Sequence, residues 1–171
     1  DVKIENTDPL GSMGMIRFNH LQPPFNNPKL RQALLHVVAQ QDYAIGIAGD
    51  AKNGKPCASY FTCGTPLAND AGSAVLTGKR DLERAKQLVK ESGYKGEKVV
   101  ILDPVEAHLA HAQAVVTAQK LREIGMNVDL QAIDWGTQSA RRQIKDPPDK
   151  NPGAWNIFHT WGGGLAMNSP L

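Results

Sequence analysis

The sequence predicts an α/β fold in which a mostly parallel sheet carries helices on its faces. Residues 98–103, KVVILD, form a near-continuous apolar run, which is typical of a strand buried on both faces. Between residues 98 and 161, strand-like and helix-like segments alternate as β-α-β-α-β, and this alternation predicts parallel strands joined by helical crossovers. With 171 residues, of which 41% are hydrophobic, the chain can form one domain with its own core.

The first part of the chain predicts one strand and two helices. Residues 14–20 alternate loosely between apolar and polar side chains, which indicates a strand. After a proline-rich breaker segment, Asn27 is a predicted N-cap and Pro28 the first residue of a helix. The apolar residues of this helix follow at helical spacing and predict one buried stripe: Leu30, Ala33, Leu34, Val37 and Val38. A second short helix is predicted over residues 41–49.

A long loop is predicted from Asp50 to Ser73, and loops of this length are often functional. It contains both cysteines of the chain, Cys57 and Cys63. Their spacing fits neither a zinc knuckle nor a CxxC redox pair. The residues alone leave two interpretations, a small disulfide-closed loop in an oxidising compartment or two buried free thiols, and they favour the disulfide.

The remainder of the chain predicts three further strands separated by helices. The predicted elements are a helix over 82–92, a strand over 98–103, a helix over 107–124, a strand over 126–134, a short helix over 135–145 and a strand over 155–161. Asp81 and Asp134 are predicted N-caps, whereas Gly93 and Gly125 are predicted to end the helices before them.

Ligands of open α/β sheets bind beyond the carboxyl ends of the strands, and three segments qualify here. These are the loop after residue 103, the turn after residue 134 and the glycines 162–164. The glycines open no helix and lack the Lys-Ser/Thr of a phosphate loop, which disfavours nucleotide binding. They form either an ordinary turn or a point where a ligand or another lobe approaches the backbone closely. Trp161 before them is either a pocket wall or a core residue.

Composition and charge exclude several classes of function. The net charge of +2 comes from 19 basic and 17 acidic residues spread along the chain, so no basic face for nucleic acid is expected. No nucleophile elbow or Ser-His-Asp arrangement appears. We therefore expect no catalysis and no cofactor. The competing hypothesis is an α/β transferase or hydrolase that uses the glycine turn after Trp161 together with His159.

Two histidines and two arginines are candidate ligand-binding residues. His108 and His111 are three residues apart on a predicted helix, but no carboxylate or cysteine joins them at ligand spacing. We interpret them as surface or cleft-edge residues and expect no metal site. Arg142 could bind a carboxylate or phosphate as a bidentate fork, or simply lie at a solvated helix end. For Arg141 the second interpretation is favoured.

Three segments carry a family resemblance: NHLQPPFNNPKLRQALLHVV (19–38), DLERAKQLVKESGYKGEKVVIL (81–102) and AQKLREIGMNVDLQAIDWGTQSARR (118–142). They resemble family 5 extracytoplasmic solute-binding proteins, the peptide- and nickel-type receptors of ABC importers, in the right order over nearly the whole chain. The resemblance implies one lobe of a class II periplasmic-binding-protein fold. Residues 1–171 would then be a single α/β lobe, the second one, excised from a two-lobed protein about three times longer.

The resemblance also implies a location and partners. The protein would be periplasmic, would close together with its missing first lobe over a peptide-like, anionic or other small solute, and would deliver that solute to an ABC permease at the inner membrane. One branch of the family carries a cysteine pair in the corresponding loop, which implies a disulfide between Cys57 and Cys63. A nickel-type receptor is the alternative within the family, and it would depend on His108 and His111.

Several site residues follow from the segment FHTWGGGLAMNSP, residues 158–170. Peptide-binding members contribute the tryptophan and the residues after it to the ligand, which implies roles for Trp161, Gly162 and Gly163. His159, on the same predicted strand, is included among the expected ligand-binding residues. Two positions depart from the family: Phe158 replaces a basic residue, and the segment after Trp161 lacks the acidic residue that pairs with the ligand's α-amine.

Two further residues match positions that family members use for binding. Arg142 follows Trp135 by seven residues, as the corresponding arginine does in the family, which implies contact with an anionic group of the ligand. His108 lies near the helix start where members place a histidine. The resemblance therefore favours a binding protein whose peptide-like specificity has changed, with glycines that allow close approach behind a cleft tryptophan.

Overall fold

The structure is a computed structural model that describes residues 2, 3, 5, 8–77 and 79–168. The last residues of the glycine-containing segment, 169 and 170, lie outside the described residues, as do both ends of the predicted lobe. The elements are β1 Ser12–Phe18, α1 Pro28–Leu35, α2 Gln40–Ala48, a 3-10 turn Ala51–Asn53, α3 Ala74–Thr77, α4 Leu82–Glu91, β2 Val99–Pro104, α5 His108–Glu123, β3 Val128–Ile133, α6 Trp135–Arg141 and β4 Ile157–Gly163.

The strands form one sheet in the order β1-β4-β2-β3. β2 runs parallel to both β3 and β4, and β1 is the antiparallel edge strand beside β4. The predicted α/β fold with a mostly parallel sheet is confirmed. The chain moves from β2 outward to β3 and then returns across β2 to β4, so the strand order reverses between β2 and β4. Their carboxyl ends therefore form a topological switch point, the usual position of a ligand crevice.

The core lies on both faces of the sheet because successive side chains of β2 alternate. Val99 and Ile101 point to the main cluster, which includes apolar residues of α1, α4 and α5. Val100 and Leu102 point to a smaller cluster with Trp155 and Phe158 on the opposite face. Within the described residues, no helix has the length and apolar character needed to cross a membrane.

The predicted helix ends are largely confirmed, because they depend on local hydrogen bonding. The side chains of Asn27, Asp81 and Asp134 each accept a hydrogen bond from a backbone N–H two or three residues further along, as N-caps do. Gly93 and Gly125 follow α4 and α5 with positive φ angles of 77° and 86°. At these positions the left-handed conformation that ends a helix favours glycine.

The end of the sheet differs from the prediction. β4 begins at Ile157 and includes Gly162 and Gly163, which pair with β1, so the turn begins only at Gly164. Hydrogen bonds from β1 hold these glycines in an extended conformation that their own sequence does not favour. The helix expected over 135–145 ends earlier, at Arg141, and the short helix α3 was not predicted.

The loop between α2 and α3 is closed by a disulfide between Cys57 and Cys63, whose Cα atoms are 5.7 Å apart. The predicted disulfide is therefore confirmed. The Gln40 side chain donates to the carbonyl of Cys57 at 2.7 Å and accepts from its N–H at 2.6 Å, which fixes the loop to α2. The Thr62 hydroxyl donates to the carbonyl of Gly164 at 2.7 Å. The loop thus packs against the carboxyl end of β4.

Candidate functional site

The candidate site lies at the carboxyl edge of the sheet, where Trp135 and Trp161 meet. Their ring centroids are 5.2 Å apart and their planes are inclined by 42°. Trp161, near the end of β4, keeps 37% of its surface exposed, and Trp135 is the first residue of α6. β4 and α6 thus bring two tryptophans that are distant in the sequence together as an aromatic surface at the switch point.

Gln113 of α5 lies against β4 one residue before Trp161. It is buried on α5, and its amide nitrogen donates to the carbonyl of Leu109 at 3.0 Å and to that of Thr160 at 3.5 Å. Gly14 of β1 provides the space, because a Cβ at that position would lie 2.7 Å from Gln113 Oε1. Neither residue was singled out by the sequence, since their contact joins elements far apart in the chain.

Carboxylates lie next to the tryptophan pair. Glu106, in the loop after β2, accepts a hydrogen bond from the backbone N–H of Trp135 at 2.5 Å. Asp134 caps α6, and hydrogen bonds from the Thr137 side chain and backbone hold the pKa of Asp134 below its usual value. Asp134 is therefore anionic at neutral pH. The sequence analysis identified the capping role of Asp134 but not the position of Glu106.

The two candidate histidines of α5 are engaged by different partners. His108 Nε2 donates to the carbonyl of Ile47 at 2.7 Å, which joins the start of α5 to α2 at the edge of the site. His111 Nδ1 lies 2.6 Å from Oδ1 of the buried Asp103, at the end of β2. Across the described part of the chain, no group of three or more His, Cys, Asp or Glu side chains could hold a metal ion.

His159 lies in the core rather than at the site. The residue is fully buried, and Nε2 is hydrogen-bonded to the Thr117 hydroxyl at 2.8 Å, which in turn is bonded to the Tyr43 hydroxyl at 3.0 Å. Burial lowers the pKa of His159 to about 3 and raises the pKa of Tyr43 to about 12. The imidazole is neutral at physiological pH, and its ring does not reach the crevice where the sequence analysis expected it.

The three glycines after Trp161 have different surroundings. Gly163 is open, since a Cβ there would meet nothing within 4 Å, whereas a Cβ at Gly162 would lie 3.0 Å from Met167 Cγ. Gly164 is buried, and a Cβ there would lie 2.7 Å from the Cβ and 2.8 Å from the carbonyl oxygen of Leu10. Close approach therefore occurs at Gly164, and the approaching group belongs to this chain itself.

Arg142 lies away from the tryptophan pair. It follows the last residue of α6, about 10 Å along the helix axis from Trp135, and its exposed guanidinium has no hydrogen bond or ion pair among the described residues. Arg141 instead donates to the carbonyls of residues 153 and 154, at 2.6 and 3.0 Å, and to Gln131 at 2.8 Å. Arg141 thus holds the segment before β4 in place.

The chain matches the family model of bacterial extracellular solute-binding proteins, family 5 (middle region), over residues 1–163. A probable peptide ABC transporter periplasmic-binding protein of Sinorhizobium fredii is 42% identical over 161 residues, covering 94% of this chain and 30% of that protein. A glutathione-binding protein of Pectobacterium atrosepticum is 32% identical over 151 residues, covering 85% of this chain and 27% of that protein. The chain thus spans less than a third of the length of these relatives.

Solved structures show the same fold. The ABC transporter substrate binding protein CtaP of Listeria monocytogenes superposes with a TM-score of 0.77 at 26% identity, covering 95% of this chain and 31% of that chain. The murein tripeptide binding protein MppA of Escherichia coli superposes with a TM-score of 0.70 at 20% identity, covering 95% of this chain and 31% of that chain. At 20% identity, the likeness to MppA concerns the fold alone.

Proposed function

The chain belongs to family 5 of the bacterial extracellular solute-binding proteins, and from this premise we propose that it is one lobe of a periplasmic receptor that delivers a peptide-like solute to an ABC importer. Residues 1–171 form a single α/β lobe in this proposal. The partners are the receptor's other lobe, which completes the site, and the permease at the inner membrane. The solute is bound and released without a chemical step.

The observation that carries the proposal is the tryptophan pair at the switch point of the sheet. Aromatic side chains gain most from burial, yet Trp161 remains 37% exposed beside Trp135. A solute enclosed between two lobes would cover these rings. We propose that Gly162, Gly163 and His108 border the same site, since they lie on β4 and at the start of α5.

The carboxylates beside the tryptophan pair support a solute with a cationic group, such as a peptide amine. The chain lacks an acidic residue directly after Trp161, but Glu106 offers a carboxylate within hydrogen-bond distance of the Trp135 backbone. The names of the two relatives, which refer to a peptide and to glutathione, agree with a peptide-like solute. Arg142 contacts an anionic group in this proposal only if the solute extends along α6.

The enzyme hypothesis has weaker support than the receptor hypothesis. It uses the glycine turn after Trp161 together with His159, and this imidazole is fully buried and neutral. The disulfide between Cys57 and Cys63 supports a periplasmic location, because disulfides persist in oxidising compartments.

A thermal-shift screen tests the proposal with the full-length receptor and, in parallel, with this chain alone. The library contains peptides, opines, sugars and nickel chelates. We expect a solute that raises the melting temperature of the receptor and leaves that of the isolated chain unchanged, because one lobe encloses the solute on one side only. A solute that stabilises both equally would contradict the proposal, as would turnover that is lost in His159→Ala.

Site variants of the full-length receptor locate the bound solute. Trp161→Ala should weaken its binding about tenfold, the usual cost of removing an aromatic anchor. Tyr60→Ala is the matched control, because Tyr60 is an aromatic residue of the disulfide-closed loop that is 80% exposed. Equal affinities of the wild type and Trp161→Ala would contradict the proposed site.

A further inference from the structure

A cavity of about 360 Å³ lies between β1, helices α2 and α5 and the disulfide-closed loop. We call it the α2 cavity. Its volume lies within the range of about 300 to 1,000 Å³ that is usual for small-molecule sites. Its apolar walls include Met13, Ile16, Val38, Ile47, Leu109 and Trp161. Trp161 lines the α2 cavity and also belongs to the proposed solute site, so the two share one wall residue.

Three polar side chains in the cavity wall, those of Tyr43, Gln40 and Gln113, are hydrogen-bonded within the protein. The Tyr43 hydroxyl is bonded to Thr117 at 3.0 Å, and burial raises the pKa of Tyr43 to about 12, so this phenol is neutral. The side-chain amide of Gln40 donates to the carbonyl of Cys57 and accepts from its backbone N–H. The amide nitrogen of Gln113 donates to backbone carbonyls of α5 and β4. An occupant therefore meets a mainly apolar surface, which favours an aliphatic group.

One cation also lines the cavity. Lys55 is exposed two residues before Cys57, in the loop between α2 and α3, and its ammonium has no hydrogen bond or ion pair within the described part of the chain. An aliphatic group in the cavity whose anionic substituent points toward Lys55 would bring that substituent near this ammonium. A Lys side chain can follow such a substituent, because its charge lies on a flexible stem.

We propose that the α2 cavity binds an aliphatic carboxylate, with the alkyl group between α2 and β1 and the carboxylate at Lys55. The C-terminal valine, leucine or isoleucine of a peptide carries both groups, and so does a free alkanoate. The peptide form rests on the proposed function, whereas the alkanoate form does not.

Isothermal titration calorimetry of the full-length receptor tests the alkanoate form with butanoate, hexanoate and octanoate. We expect the affinity to rise about fourfold for each added methylene until the cavity is filled. The peptide form is tested with Ala-Ala-Leu against Ala-Ala-Ala, and the leucine peptide should bind at least about tenfold more tightly. A chain-length dependence in either series supports the cavity and identifies the source of the carboxylate. Affinities independent of chain length in both series would overturn the proposal.

Two variants test where the alkyl group lies. Ile47→Trp fills the cavity from α2 and should weaken the binding of octanoate about tenfold. Ile45→Trp is the matched control on the same helix, because Ile45 is 50% exposed and lines a different groove. Equal losses in the two variants, or no loss in Ile47→Trp, would contradict the proposal. The melting temperature without probe confirms that each variant is folded.

Lys55→Gln tests the carboxylate end without disturbing the packing, since Lys55 is exposed. We expect the affinity for octanoate to fall about threefold and its dependence on salt to disappear. Octanol binding should not change. Unchanged affinity and salt dependence for octanoate would overturn the role of Lys55.

The outcomes separate this proposal from the receptor function. A peptide that stabilises the receptor regardless of its C-terminal residue, and regardless of Ile47→Trp, would overturn the α2 cavity and leave the receptor function intact. Alkanoate binding that Ile47→Trp abolishes, in a receptor that no transported solute stabilises, would support the cavity and overturn the receptor function.

Discussion

His159 makes the stability of the chain depend on pH. Its imidazole is fully buried, and among the described residues its Nδ1 has no hydrogen-bond partner. Burial lowers its pKa from 6.5 to about 3. The unfolded chain takes up a proton at this residue below about pH 6.5, whereas the folded chain does not until the pH falls to about 3. Proton uptake in this window therefore favours the unfolded state.

We predict that the contribution of His159 to stability is complete above pH 6.5 and is lost progressively down to about pH 3. At pH 5 the loss is about 2 kcal/mol of unfolding free energy. Urea denaturation at pH 7.5, 6 and 5 measures this loss of unfolding free energy. His159→Gln can still reach the Thr117 hydroxyl but does not titrate, so its stability should vary less with pH. An identical pH dependence in the variant and the wild type would contradict this assignment.

At the scale of residues, the sequence predicts the place of Trp161 but not its neighbours. The strand order along the chain indicates which residues reach the carboxyl edge, and Trp161 lies there. Its contact with Trp135, and the hydrogen bond from the Trp135 backbone N–H to Glu106, depend on how α6 packs. His159 lies two residues before Trp161 on the same strand, so alternation directs both side chains to the same face, where His159 is hydrogen-bonded to Thr117 of α5. Strand alternation alone does not say that α5 buries His159 while Trp161 stays partly exposed.

At the scale of elements, the disulfide-closed loop connects parts of the chain that the sheet does not join. It is attached to α2 through Gln40 and to the turn after β4 through Thr62. Cys57 also lines the α2 cavity. The loop therefore holds α2 against the end of β4 and shapes the space beside Trp161.

We predict that the double variant Cys57→Ser, Cys63→Ser lowers the free energy of unfolding by about 2 kcal/mol, since the bridge closes a loop with a sequence separation of 6. Chemical denaturation of the two proteins without reductant measures this difference. Adding dithiothreitol should destabilise the wild type by a similar amount and leave the variant unchanged. If reductant destabilised the variant as well, the effect would come from a source other than this disulfide.

The elements that the sequence predicts well are those fixed by local contacts. The caps at Asn27, Asp81 and Asp134 depend on neighbouring N–H groups, and all three are present. The inclusion of Gly162 and Gly163 in β4 depends on pairing with β1, at the other end of the chain. Propensity argues against glycine in a strand, and only the long-range ladder reverses that preference.

At the scale of the whole molecule, the proposed function makes the carboxyl edge of the sheet one half of a binding site. Trp161, Val105 and Leu165 expose large apolar surface at or just after the ends of β4 and β2. Covering this edge would remove apolar area from water, which stabilises a closed arrangement of two lobes when a solute fills the space between them. In the proposed receptor, the binding energy of the solute would therefore depend on closure as well as on contacts with this chain.

We predict that the full-length receptor contracts when it binds its solute, and that small-angle X-ray scattering detects a smaller radius of gyration. The Trp161→Ala receptor should need a higher solute concentration for the same contraction. Without the indole ring, the solute has a weaker contact with the closed state and stabilises that state less. The isolated 171-residue chain serves as the control and should keep its scattering profile, since a single lobe has no second body to move. A saturated receptor with the scattering profile of the free one would contradict closure, and it would mean that the solute binds to this lobe without enclosure.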